Sequence, residues 1–284
     1  MKPARTGPSA RRLVGAMAET VAVLLALLLF GVPFYFVIIN SVKSVSEAAD
    51  MSMAWPAAVQ LVQNYRDVLT TNSGIVIRAF VNSVLLTLFS IAGQVLVCAM
   101  AGFVMQRRAS RASGMVNFLV LAGLMIPPSI VPTIWVLQGL HLFKTLLGIV
   151  LVEVALGFPF AALLYRGFLV SVPREIDEAA IIDGCRGGAL FFRIVFPLLQ
   201  PVTSTIIVLS AVGVFNDFVN PLYFFPGAKN ATVQLTLYNF MSQFVTKWNL
   251  LFSDVVLISI PPLILFVFFN RRIIAGLTAG ALKA

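Results

Sequence analysis

The side chains that could do chemistry in this chain are few and unevenly placed. Of eleven acidic residues, four (Glu175, Asp177, Glu178, Asp183) fall in one short polar stretch. It reads Glu178-Ala179-Ala180-Ile181-Ile182-Asp183-Gly184 and runs on to Ile194-Val195-Phe196-Pro197. A second polar group, Asn216, Asp217 and Asn220, interrupts an apolar run. Neither group has the make-up of a catalytic centre. There is no Ser-His-Asp or Cys-His arrangement and no glycine-rich phosphate loop, so the chain is not expected to hydrolyse ATP or to be an enzyme. The lone His141 sits beside Lys144 without a second ligand or base and reads as a solvated loop residue. Cys98 and Cys185 fall in a helix and a distant loop, which predicts neither a disulfide nor a metal site. What remains is recognition: a charged loop that touches a partner, and amides that line a passage or join helices.

The elements that position these groups follow from composition. Hydrophobic residues make up 60% of the chain and charged residues 11%. A soluble domain carries about 25% charged residues, so this much apolar surface belongs in a lipid bilayer. The net charge of +9 comes without a basic stripe interleaved with aromatics, which excludes a nucleic-acid partner. A helix of roughly 17–25 apolar residues crosses a bilayer core of about 30 Å. Six runs fit: 21–39, 81–105, 116–137, 147–169, 202–225 and 250–269. The last is interrupted by Asp254 and Pro261-Pro262, and Pro127-Pro128 predict a kink in the third. The expected fold is an all-α membrane protein with six transmembrane helices in one domain, 21–270. A basic tail (1–20) precedes it, a second tail (271–284) follows it, and a polar loop (170–201) lies between helices 4 and 5.

Lys and Arg give the orientation. Fourteen of the twenty lie on the side that holds both termini and the Glu178 loop, and six on the other. The positive-inside rule places the fourteen, and that loop, in the cytoplasm. The first apolar stretch is too long for a signal-peptide core and no small-x-small cleavage site follows Ile39, so a retained helix is expected.

Within the polar loop, Ser171 and Pro173 suit a helix start and Gly184 a helix stop. Glu175, Asp177 and Glu178 fill the first turns, where the helix dipole favours negative charge. Ala179 and Ala180 would leave a face with little bulk for a partner to approach, with Ile176 and Ile182 as apolar anchors. A surface helix lying at the membrane interface and binding nothing accounts for the helical pattern equally well. The spacing onward to Ile194 and Pro197 is not required by amphipathicity.

That spacing, Glu-Ala-Ala, three residues, Gly, nine residues, Ile-x-x-Pro, resembles the EAA loop of ATP-binding-cassette importer permeases. Across nearly its whole length the chain is similar to the carbohydrate-type, maltose-permease-like subunit. The likeness includes Asn64-Tyr65, Asn82-Ser83, Ile126-Pro127-Pro128, Gly157-Phe158-Pro159-Phe160, Asn216-Asp217-Phe218 with Pro221-Leu222, and Gly276-Leu277-Thr278-Ala279-Gly280. Phe215, Cys185 and Phe196 stand where many relatives have Trp, Ala and Leu, so a hydrogen bond from an indole at 215 is not carried over. The resemblance implies a bacterial or archaeal inner-membrane protein that imports a sugar or oligosaccharide. It implies a second, homologous permease subunit, two ATPase subunits that hold ATP and Mg, and an extracytoplasmic solute-binding protein. Glu178, Ala179, Ala180, Asp183, Gly184, Ile194 and Pro197 would couple to the ATPase, and the tail from Gly276 would reach toward it.

Asn216 and Asp217 lie about 15 residues, or roughly 21–22 Å, into the fifth run, with Asn220 on much the same helical face. They could line a hydrophilic passage, glue helices, or cap a break before Pro221. Glu153 reads as an interfacial carboxylate and Gln94 as an interhelical hydrogen bond. The same architecture would also suit import of a polyol or glycerol phosphate. A secondary carrier predicts paired intramembrane acids or matching broken helices in two halves, which the sequence lacks. A membrane scaffold that only tethers a partner is the rival of a different class.

Overall fold

The computed structural model describes residues 10–108, 111–241 and 246–281, with side chains described over 15–108, 111, 113–241 and 246–268. Lys2, Arg5 and Lys283 of the charge count lie outside the described residues. So do the side chains of Arg11, Arg12, Arg271, Arg272 and the tail from Gly276.

The described chain is helical. Helix α1 (Ala10–Ala26) passes through a π turn at Leu27–Gly31 into α2 (Val32–Ser41), followed by α3 (Val45–Ala49) and α4 (Leu61–Arg107). Then come α5 (Arg111–Met125), α6 (Ile130–Gly139), α7 (Leu146–Leu169) and α8 (Arg174–Ile182). A π segment (Leu190–Val195) leads through α9 (Phe196–Leu198) into α10 (Gln200–Phe215). Helices α11 (Val219–Phe224), α12 (Val233–Thr236) and α13 (Trp248–Ala281) complete the order.

Among the described residues, four helices are long and apolar enough to cross a membrane: Gly15–Ser41, Leu61–Arg107, Leu146–Leu169 and Trp248–Phe268. The pair Leu190–Leu198 and Gln200–Phe215, bent by 76°, makes a fifth if taken as one span. The expected third span, 116–137, is instead two shorter helices, α5 and α6. Pro127 and Pro128 supply no N–H and push the residues before them out of helical conformation, so Ile126–Ser129 is open chain. The expected fifth span, 202–225, stops at Phe215. There the Asp217 carboxylate accepts the backbone N–H groups of Val219 (2.8 Å) and Asn220 (3.3 Å), offering the backbone an alternative to helix. By contrast α13 runs on through Pro261 and Pro262. Within α4 the backbone leaves helical angles at Thr71, Asn72, Ser73 and Gly74, the last three with positive φ.

The chain divides into two compact units, 1–69 with 237–257 and 70–236 with 258–284. In the first, Asn64 is a buried hub. Its amide donates to the carbonyls of Ser41 (2.9 Å) and Lys43 (2.8 Å), and its oxygen accepts from Asn249 (2.9 Å). Phe36 meets Phe252 edge-on at 5.4 Å. Helix α3 opens with a capping box between Ser44 and Glu47.

In the second unit α7 packs against α5, α10 and α11. Tyr165 and Leu169 of α7, Cys98 and Ala99 of α4, Val195 and Leu199 form one fully buried core, and Ala180 of α8 joins it. Helices α4 and α7 meet at Gly102, where a Cβ would lie 2.6 Å from the Cβ of Tyr165. Asn82 and Ser83 fix the segment before α12: the Asn82 amide donates to the carbonyls of Lys229 and Ala231, and Ser83 accepts from the N–H of Val233.

Candidate functional site

The polar stretch after α7 forms the expected helix. Pro173 precedes α8, Asp183 follows it, and Gly184 has φ +89°, a conformation glycine adopts without steric cost. The Asp183 N–H donates to the carbonyl of Ala179 and the Cys185 N–H to that of Ala180, which closes the helix end.

Seating of this helix depends on a pairing, Arg107 with Asp177, that the sequence did not suggest. Asp177 is buried against the end of α4, where its Oδ2 lies 2.7 Å from Nε of Arg107, with side chains only 12% and 9% exposed. Nη2 of Arg107 also donates to the carbonyl of Val172 (3.0 Å), and Nη2 of Arg174 to that of Gln106 (3.3 Å). An ion pair this far out of water holds only with both partners in place. Nothing local in the sequence couples Arg107 to Asp177, so no motif could have found the pair.

The pair decides which face of α8 is turned outward. Ala180 is buried in the core and Ile176 packs against it, so the expected small-residue face is divided. Glu178, Ala179, Ile182, Asp183 and Gly184 are exposed, Ile182 at 85%. Farther along, Ile194 is half-buried against the core and Pro197 is exposed.

The second polar group gathers residues from four elements. Asn216 caps α10, its amide donating to the carbonyl of Val212 (2.9 Å) and its oxygen accepting from Gln234 of α12 (3.1 Å). Asn220 of α11 donates to Oε1 of Glu153 on α7 at 3.1 Å, and the Asp217 carboxyl also interacts with Glu153. The three residues therefore do not share one helical face, because the helix breaks among them. Glu153, expected as an interfacial carboxylate, is enclosed by the protein. It is 6% exposed and is the residue on which Asn220 and Asp217 converge.

Next to this cluster lies a cavity of about 340 Å³ whose lining includes Gln94, Glu153, Gly157, Phe160, Ser210 and Gly213. Gln94 bridges three helices, donating to the carbonyl of Glu153 (3.0 Å) and accepting from the Ser210 hydroxyl. Carboxylate, amide and hydroxyl groups thus stand in a mostly apolar lining, and Gln94, Ser210 and Glu153 are already hydrogen-bonded to protein partners. Among the described residues no group of three or more His, Cys, Asp or Glu could hold a metal ion. His141 is exposed, and Cys98 and Cys185 are both free.

Residues 94–278 match the family model for the inner membrane component of binding-protein-dependent transport systems. The chain belongs to this family. The matched segment holds α8, the π segment and the Glu153 cluster. Among curated relatives, the chain is 28% identical over 253 residues to a probable starch degradation products transport system permease, AmyC, of Thermoanaerobacterium thermosulfurigenes, covering 88% of this chain and 91% of that one. It is 29% identical over 257 residues to the melibiose/raffinose/stachyose import permease MelC of Bacillus subtilis, covering 89% and 91%. The fold is similar to that of a chain in a bacterial ABC transporter for alginate import, with a TM-score of 0.81 at 16% identity over 94% of this chain and 99% of that one. As a permease of this family, the protein is the non-catalytic, membrane-embedded component of an ABC importer.

Proposed function

We propose that this permease imports a sugar or oligosaccharide delivered by an extracytoplasmic binding protein, and that α8 is its docking element for a separate ATPase. The observation that carries the docking role is the way α8 is held. A buried ion pair ties its inner face to α4, while Glu178, Ala179, Ile182 and Gly184 are left uncovered on the outer face. A helix meant only to lie on a membrane needs no such strut, whereas one that carries force does.

The remaining assembly is what membership of the family implies. Two ATPase subunits supply ATP and Mg, and a second, homologous permease completes the passage. Six membrane crossings result when α5 with α6 forms the third and the bent π segment with α10 the fifth. The excess of Lys and Arg then places the termini and α8 in the cytoplasm. Asp183, Ile194 and Pro197 shape the docking surface around α8, and Ala180 seats it. Asn216, Asp217 and Asn220 belong to the passage, with Glu153 and Gln94. The sugar assignment rests on relatives named for starch products, melibiose and raffinose.

The test is a reconstituted transporter carrying Glu178→Lys with Gly184→Asp. Uptake and binding-protein-stimulated ATPase activity should both be lost while all subunits remain in the membrane. Unchanged uptake would sink the docking role and favour a tethering scaffold. For the passage, Asn216→Leu or Asp217→Leu should reduce uptake with ATPase docking intact, and normal transport by both would make those residues structural.

A further inference from the structure

A second cavity lies at the opposite end of α4 from the helix break. It measures about 520 Å³, and its walls include Met100, Val104, Arg108, Arg186, Leu190 and Phe192. Met100, Val104 and Phe192 expose apolar side chains, and Arg108 and Arg186 are exposed as well. From Met100 to Arg108 is about 12 Å along a helix, the distance from a headgroup phosphate to the first several methylenes of an acyl chain. Arg107 also lines the space, but Asp177 compensates its charge. Among the described residues neither Arg108 nor Arg186 is in an ion pair, so two of the lining cations have no salt-bridge partner. Gly187 and Gly188 put no side chain into the space between Arg186 and the π segment.

We infer that this cavity is a binding site for an anionic phospholipid. The phosphate would lie between Arg108 and Arg186, and an acyl chain against Met100, Val104 and Phe192. Basic pockets where helices leave the bilayer select such headgroups. A water-soluble acidic partner would pair with the arginines but leave the apolar wall bare. A lipid covers both. Because Arg107, Ile181 and Leu190 share the same cavity, a bound lipid would bridge the end of α4, the end of α8 and the π segment. The inference uses neither the docking role of α8 nor the identity of the solute.

The experiment is native mass spectrometry of the assembled transporter, titrated with dioleoyl phosphatidylglycerol or dioleoyl phosphatidylcholine. Wild-type protein should retain the glycerol lipid preferentially. Arg108→Gln with Arg186→Gln should weaken that retention about 30-fold, the equivalent of about 1 kcal/mol for each arginine. Val104→Trp, which fills the apolar wall and leaves both arginines, should also lower it. Inorganic phosphate at equal concentration should not displace the lipid. Equal retention of the two lipids by wild-type protein overturns the proposal whatever the variants do. So does undiminished retention in the double variant. Displacement by phosphate together with an inert Val104→Trp would make the cavity a plain anion site and reject the lipid.

Discussion

Replacing Arg107 with Met tests the strut directly. The substitution keeps much of the side-chain volume and leaves the Asp177 carboxylate without its counter-charge at a site where both side chains are at least 88% covered. Removing one partner of a buried pair costs about 3–5 kcal/mol, because the remaining charge is stranded. The Val172 carbonyl also loses its donor, worth about 1 kcal/mol. Against this, Asp177 lies in the first turn of α8, where the helix dipole returns about 0.3–1 kcal/mol. A net loss of about 3 kcal/mol or more shifts the balance between seated and unseated α8 by on the order of 100-fold or more. Unseating hydrates Asp177, so the helix itself gives way and the rest of the fold does not. Hydrogen exchange should therefore accelerate at the Asp183 and Cys185 amides, which donate to Ala179 and Ala180, while the core of α7 stays protected.

The companion variant, Arg107→Met with Asp177→Leu, removes both charges. A well-packed apolar pair of similar volume should bring protection back to within about tenfold of wild type. ATPase stimulation by the binding protein should be lost in the single variant and recovered in the double. Unchanged exchange at Asp183 and Cys185 in Arg107→Met would refute the reasoning, since the pair would then hold nothing.

Three further outcomes follow from local geometry. At Gly184 the φ of +89° is strained for any L residue although the space is open, so Gly184→Ala should weaken ATPase docking about 5- to 30-fold, read by subunit pull-down titration. At Gly102 a Cβ would meet the Tyr165 Cβ at 2.6 Å and the Arg166 nitrogen at 3.0 Å, so Gly102→Ala should lower stability by about 1–3 kcal/mol in a thermal aggregation assay. Gly167→Ala, with nothing within 4 Å, is the control for that assay. The Glu47 carboxyl is held below its ordinary value of 4.5, first by the Ala57 N–H and then by the Ser44 hydroxyl and N–H. Its contribution is therefore complete above pH 4.5 and is lost as pH falls through the lower folded value, so Trp55 fluorescence should show an acid transition there that Glu47→Gln abolishes.

What was legible in the sequence was whatever is decided within one turn of chain. Helix α8 has the expected start and stop because Pro173 and Gly184 act on their own backbone. Gln94 joins helices as expected, because an amide in an apolar run has few other ways to be satisfied. The breaks were harder to read. Residues 202–225 read as one run interrupted by Asn216, Asp217 and Asn220, and where it ends is set by the Asp217 side chain competing for two backbone N–H groups. Burial of Glu153 depends on Asn220, 67 residues away, and that of Asp177 on Arg107, 70 residues away (177 − 107). Such partners are chosen by packing, and no spacing rule reports them.

The two polar sites are joined by matter that cannot be compressed. Ala180 of α8 lies in the same core as Leu169 and Tyr165 of α7, and the Tyr165 hydroxyl hydrogen-bonds Thr203 of α10 at 3.0 Å. On the other side of Tyr165, Gly102 leaves no room for even a methyl group. Protein interiors packed to this density transmit displacement because they have no voids in which to absorb it. If α8 shifts, α7 cannot yield at its lower end, and sixteen residues, or about 24 Å, farther along the same helix is Glu153. The residue on which Asn220 and Asp217 converge thus stands on the rod that the strut helps to hold. A shift at α8 has two physical outlets: the Arg107–Asp177 pair breaks, or the cavity beside Glu153 changes shape. Separating a buried pair strands both charges, so the second is the softer path so long as reshaping the cavity costs less.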